Sequence, residues 1–168
     1  MFKLKESHYI NNDTRLADVV SAIQAMGSYK FYKRDFAGWS KAICGDANQA
    51  DFWKTVILEH PEFFRLNTEK DKASLVWRRN YPRNYHVDKH KTLTDIELSD
   101  LGEDDRKNRV SRMPLSSSDI SVLIDTAIDL HSRQLERKKD KLWWRSSLVG
   151  ILGVIVGVLI KSWLSAGS

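Results

Sequence analysis

Cysteine is nearly absent from this chain: Cys44 stands alone among 168 residues, which rules out an internal disulfide and fits a reducing compartment. Neither the phosphate loop nor the dinucleotide fingerprint can be found among the eight glycines. Metal ligands also fall short. His86 and His90 lie four apart with Asp88 between them, but they follow Pro82 in a stretch that reads as linker, and no third ligand accompanies them. They read as solvated histidines. Cys44, beside Gly45, has no identifiable base and reads as a small helix-end hydrophobe. These absences predict no enzyme, no cofactor and no metal. The N-terminal residues Met1-Phe2-Lys3-Leu4-Lys5-Glu6 form no apolar stretch, so no signal peptide is expected.

What is present begins with helices. Asn12, Asp13 and Thr14 offer N-caps to a helix whose apolar positions Leu16, Val19, Val20, Ile23 and Met26 share one face, and Gly27 is expected to stop it. An extended piece, Tyr29 to Tyr32, alternates aromatic and basic residues. Asp35 caps a second helix from Phe36 to Ile43, ending at Cys44-Gly45. A third runs from about Asn48 to Glu59 with Phe52, Trp53, Val56 and Ile57 inward, closed by Pro61. Two strand-like runs follow, Glu62 to Leu66 and Ala73 to Arg79, joined by the polar turn Asn67 to Lys72.

Helix, short strand, two helices and a hairpin is an order that resembles the winged helix-turn-helix superfamily over residues 14–80. The stretches Glu59-His60-Pro61-Glu62-Phe63-Phe64-Arg65-Leu66 and Ala73-Ser74-Leu75-Val76-Trp77-Arg78-Arg79 look like the end of a recognition helix and a two-stranded wing. The resemblance implies an α+β fold with a small N-terminal domain of three helices plus a β-hairpin (1–85), after which the charge-crowded stretch 86–115 reads as a linker leading to a long helix. It also invites DNA binding. The third helix, however, would present Asn48, Gln49, Asp51, Lys54, Thr55 and Glu59, a nearly neutral reading head for a phosphate backbone.

The expected long helix opens at Ser117 or Ser118. Its stripe of Ile120, Leu123, Ile124, Ala127, Ile128, Leu130 and Leu135 forms an amphipathic stalk (116–141) that must bury itself on its own domain or on other subunits. Residues 146–160 carry no charge. Extended to 142–164, the segment is long enough to span a bilayer if Arg145 and Lys161 reach the two headgroup layers, with Trp143, Trp144 and Trp163 as interface anchors. Gly150, Gly153 and Gly157 offer a close-packing face. The basic flank at 137–145 predicts a single-pass, tail-anchored protein with its N-terminal domain cytoplasmic and its C-terminus on the far side.

Lys and Arg total 27 against 22 Asp and Glu, and residues 1–85 hold 14 against 10. The basic positions of interest are Lys30, Lys33, Arg34, Lys41, Arg78, Arg79 and Arg83, interleaved with Tyr29, Tyr32, Trp77, Tyr81 and Tyr85, where bases or a nucleotide could stack. The functional expectation is a membrane protein with a cytosolic winged-helix-like sensor for nucleic acid, nucleotide or protein. It would self-associate as a homo-oligomer through stalk and anchor in the lipid bilayer, in the manner of prokaryotic membrane effectors, antiviral defence included. The alternatives are a membrane-embedded DNA-binding transcription regulator and a membrane-tethered protein-interaction scaffold.

Overall fold

The computed structural model describes residues 12, 14–137 and 139–140. It divides into two units, Met1–Asp129 and Leu130–Ser168.

The first unit opens with α1 (Arg15–Ser28), whose start is organised by the Asn12 side chain accepting from the Thr14 N–H and hydroxyl at 3.0 and 2.8 Å. β1 (Lys33–Asp35) leads directly into α2 (Phe36–Cys44). Asp35 caps that helix by accepting from the Gly38 N–H at 3.0 Å, and Gly45, at φ +81°, takes the left-handed conformation that ends it. A 3-10 turn, Ala47–Gln49, leads into α3 (Ala50–Glu59), which stops before Pro61. β2 (Phe64–Leu66) and β3 (Lys72–Leu75) complete an antiparallel sheet of order β1-β3-β2, with Lys33 opposite Ser74 and Arg65 opposite Ser74.

The core lies between this sheet and the three helices. Val19, Ala22, Ile23 and Met26 of α1, Trp39 of α2, Val56 and Ile57 of α3, and Phe64, Ala73 and Leu75 of the sheet are all buried. Each large apolar side chain among them contributes about 1.5–3 kcal/mol of transfer free energy. Trp39 also keeps its polar edge satisfied, donating from Nε1 to the Ala73 carbonyl at 2.9 Å.

Residues 86–115 correct the expected fold class. In place of a linker they carry most of a second antiparallel sheet, order β5-β4-β6, from β4 (Tyr85–His86), β5 (Lys91–Thr92) and β6 (Val110–Ser111). Two short helices, α4 (Asp95–Ser99) and α5 (Glu103–Arg109), lie between β5 and β6. Tyr85, Val87, Leu93 and Val110 of this region are buried. The winged-helix reading is corrected on the same ground. β3 stops at Leu75, and residues Trp77–Asn80 coil into a 3-10 turn where the second wing strand was expected to run on to Arg79. The observed fold is mixed α/β, several helices with two small sheets.

The helix that begins at residue 117 buries part of its apolar stripe on its own unit and not on other subunits. Leu115, Leu123 and Ala127 are buried within the first unit. Gly27 does not stop α1, as expected from its type. It is the last residue but one of the helix, where an added Cβ would meet Ile120 Cγ1 at 2.9 Å, so its size is what lets the later helix approach. The apolar stripe that suggested a homo-oligomer is thus, over residues 115–127, covered by the chain itself.

Among the described residues no helix is long and apolar enough to cross a membrane. Among the described residues, then, nothing carries the single-pass localisation, the lipid-bilayer partner or the membrane-anchored function expected from the sequence. The residues named for the anchor, Trp143, Trp144, Arg145, Gly150, Gly153, Gly157, Lys161 and Trp163, lie outside the described residues.

Candidate binding surface

The basic and aromatic residues of the sequence converge from three segments, 29–34, 78–81 and 110–113. Arg78 holds them together. It is fully buried, and its guanidinium donates to carbonyls on both sides: Nη1 to Met26 at 3.0 Å, Tyr29 at 2.6 Å and Phe31 at 3.4 Å, Nη2 to Arg112 at 2.6 Å, and Nε to Met113 at 3.2 Å. Burial pushes its pKa down to about 10, which leaves it charged at neutral pH. A buried cation is tolerable here because carbonyl dipoles surround it. Arg78 therefore presents no group to a ligand.

Arg112 answers it from the other side. Its Nη1 donates to the Arg79 carbonyl at 2.7 Å and to that of Tyr81, while its guanidinium carbon stands 5.0 Å from the centre of the Tyr32 ring. The Tyr32 N–H in turn donates to Ser111 Oγ at 3.0 Å, joining the approach to β1 to β6. Arg34 lies over Tyr29, 4.8 Å from the ring centre, and donates to its hydroxyl at 2.7 Å. Gly38 makes room for it: a Cβ there would come within 2.8 Å of Arg34 Nε and 2.5 Å of Asp35 Oδ1.

The lysines are arranged differently. Lys30, Lys33 and Lys41 are exposed, and no ion pair involving them is found among the described residues. Lys30 Nζ stands 5.4 Å from the centre of the Phe31 ring and Lys33 Nζ 6.0 Å from that of Tyr32. Lys41 follows Gly38 by one helical turn, on the same side of α2. The acids at the border have structural tasks. Asp35 caps α2, and the Asn67 side chain holds the Asp71 carboxyl below its usual range, helped by the charges of Lys72 and Lys33.

The remaining sequence-predicted residues belong elsewhere. Arg79 is exposed and reaches the Leu66 carbonyl at 3.5 Å. Arg83 braces the end of α5, donating to the carbonyls of Val110 at 3.2 Å, Arg106 at 3.0 Å and Lys107 at 3.4 Å. Tyr81 hydrogen-bonds Asp119 at 3.3 Å; partial burial, and then that carboxylate, push its phenol up. Tyr85 is buried and its hydroxyl meets His90 Nδ1 at 3.3 Å. Trp77 is exposed. His86 and His90 are not one helical turn apart. They flank the β4–β5 turn, where His86 Nδ1 accepts from the Asp88 and Lys89 N–H groups at 3.3 Å each. Among the described residues no cluster of three or more His, Cys, Asp or Glu side chains could hold a metal ion.

Arg112 is the residue that sequence reasoning missed. It lies in the stretch read as linker, and no spacing or periodicity there distinguishes it from Arg106 or Arg109. On α3, Asp51, Lys54 and Thr55 are exposed as expected, with Phe52 and Leu58 beside them, so the outward face mixes one cation with an acid and apolar groups.

Comparison of the chain with protein-family models, with curated proteins and with solved structures finds no match. The likeness to winged helix-turn-helix proteins ends at the order of the elements, and with it goes the support for a DNA-binding regulator or a membrane effector.

Proposed function

We propose that this chain is a non-catalytic docking domain that takes an anionic partner through its exposed lysines 30, 33 and 41. The observation that supports this is the division of labour among the cations. Arg34, Arg78, Arg83 and Arg112 donate to groups of the chain itself, whereas Lys30, Lys33 and Lys41 are exposed and make no ion pair among the described residues. The phenylalanine and tyrosine rings beneath Lys30 and Lys33 hold those ammonium groups over a firm floor, since Tyr29, Tyr32 and Phe31 are only half-exposed. Exposed lysines on such a floor attract anions with modest energy and strong dependence on salt.

The test is a titration of the full chain against labelled dextran sulfate at low and at high salt, followed by fluorescence anisotropy. Binding that weakens with salt, and weakens about tenfold more in the Lys30→Gln/Lys33→Gln/Lys41→Gln variant, is the expected result. Absence of binding at low salt, or equal binding by that variant, overturns the reading.

A further inference from the structure

Two histidines flank the turn between β4 and β5, and they are held in different ways. His90 is exposed and sits in the left-handed region at φ +51°, its Nδ1 meeting the Tyr85 hydroxyl at 3.3 Å. His86 is buried, and its Nδ1 accepts from the N–H groups of both Asp88 and Lys89 at 3.3 Å. A ring nitrogen that accepts carries no proton, so this imidazole is neutral with its hydrogen on Nε2. Both backbone donors of the turn thus depend on one lone pair.

A proton taken up at Nδ1 removes that lone pair and sets one N–H against two others. The two amides must then turn toward water. The charges around the ring are already matched among themselves. In β5, Lys91 lies opposite His86 in register, with its ammonium 2.5 Å from Glu97. In the turn, Lys89 is exposed, and Asp88 lies 3.9 Å from Arg109 Nε, which also takes Asp105 at 3.0 Å. In β6, Val110 is the register partner, and its carbonyl accepts from Arg83 at 3.2 Å. Among the described residues no ion pair includes His86.

We infer that the β4–β5 turn is an acid-released latch, shut by the unprotonated Nδ1 of His86 and opened when that nitrogen takes a proton. The opening is local. The Val87 N–H donates to the Arg109 carbonyl at 2.9 Å, so β4 stays on β6, while β5 meets β4 through only two residue pairs. Release of the turn parts Asp88 from Arg109 and His90 from the Tyr85 hydroxyl.

The experiment follows the isotope-labelled full chain by NMR from about pH 7.5 to about pH 5, within the span in which histidines charge. At the upper end, His86 is expected to carry its proton on Nε2. On acidification, hydrogen-exchange protection of the Asp88 and Lys89 amides should fall at least about tenfold, in step with His86 protonation. Protection of the Val76 N–H, which donates to the Phe63 carbonyl in the first sheet at 2.8 Å, should hold. His86→Asn places Oδ1, like Nδ1 two bonds from Cβ, as an acceptor that does not titrate, and should keep the turn protected in acid. His90→Asn, tolerated by a left-handed backbone, should respond to acid as the wild type does. A proton on Nδ1 at the upper end, or amide protection indifferent to the His86 titration, overturns the inference, and neither readout needs a variant to fold. Acid loss that persists in a folded His86→Asn, or vanishes in His90→Asn, overturns it too.

Discussion

Arg78 Nη1 donates to the carbonyl of Tyr29 at 2.6 Å, across 49 residues of sequence. The same nitrogen reaches Met26 and Phe31, and Nη2 reaches Arg112, so one side chain fastens the end of α1, the approach to β1 and the exit from β6. The face that carries Lys30 and Lys33 thus owes its shape to a residue that never reaches the surface.

Removing that guanidinium leaves several buried carbonyls without donors. Arg78→Met keeps most of the volume but supplies no hydrogen bond, and is expected to lower unfolding stability by about 3–5 kcal/mol. Arg78→Lys restores a charge and three donors without the planar fork, so its loss should be intermediate. Urea unfolding followed by tryptophan fluorescence measures both. Equal stability of Arg78→Met and the wild type would show that the carbonyls find other partners.

Gly27 faces two opposing effects when it is replaced. Alanine in a helix interior is favoured over glycine by about 0.8–1.0 kcal/mol, whereas overpacking against a close neighbour costs about 1–3 kcal/mol. A Cβ at 2.9 Å from Ile120 Cγ1 and 3.1 Å from Cδ1 makes the second effect dominant. Gly27→Ala should therefore destabilise the protein. In an Ile120→Ala background the same substitution should stabilise it, and this reversal of sign in a double-mutant cycle is the measurement.

These relationships divide into those that local chemistry announces and those that it hides. α1, α2 and α3 were legible because their apolar residues recur at helical spacing and because Asp35, Gly45 and Pro61 mark their ends. The β2–β3 hairpin was legible from two apolar runs around the polar turn at Asn67–Asp71. The second sheet was not. Its strands are two residues long, too short to display alternation, and Tyr85 becomes a strand residue only through Thr92 and Ser111 on either side. The cluster at Tyr29–Arg34 stood out by composition, but nothing in the dipeptide Arg78-Arg79 says which arginine turns inward. The 3-10 turn Trp77–Asn80 decides that, and it depends on tertiary contacts.

Cys44 offers a chemical readout of the α2–α3 junction. Slight burial pushes its thiol up, but hydrogen bonds with the Asp46 backbone, with the Trp53 indole, which donates at 3.4 Å, and with Ser40 prevail and hold it below its ordinary value. The exposed thiol is therefore expected to react with iodoacetamide with a pH midpoint below that of a free cysteine. Trp53→Phe, which keeps a ring and removes the N–H, should move the midpoint upward. No movement would mean that the indole does not stabilise the thiolate.

Glu97 supplies the pH dependence whose direction can be worked out from the geometry. The Lys91 ammonium lies 2.5 Å from its Oε1, and the Thr94 N–H donates to Oε2 at 2.9 Å in a capping box. The Lys91 hydrogen bond first, and the Thr94 backbone next, hold the carboxyl down at about 2, against an ordinary 4.5. A carboxyl with a depressed folded-state pKa favours the folded state above its ordinary pKa. That contribution is lost as the pH falls from about 4.5 toward 2, where the folded state also takes up the proton. The Tm of Glu97→Gln should therefore lie below that of the wild type near neutral pH, with the two curves drawing together as the solution is acidified through that window. A gap between the curves that stayed constant down to pH 2 would show that the loss comes from the altered cap and not from the charge of Glu97 beside Lys91.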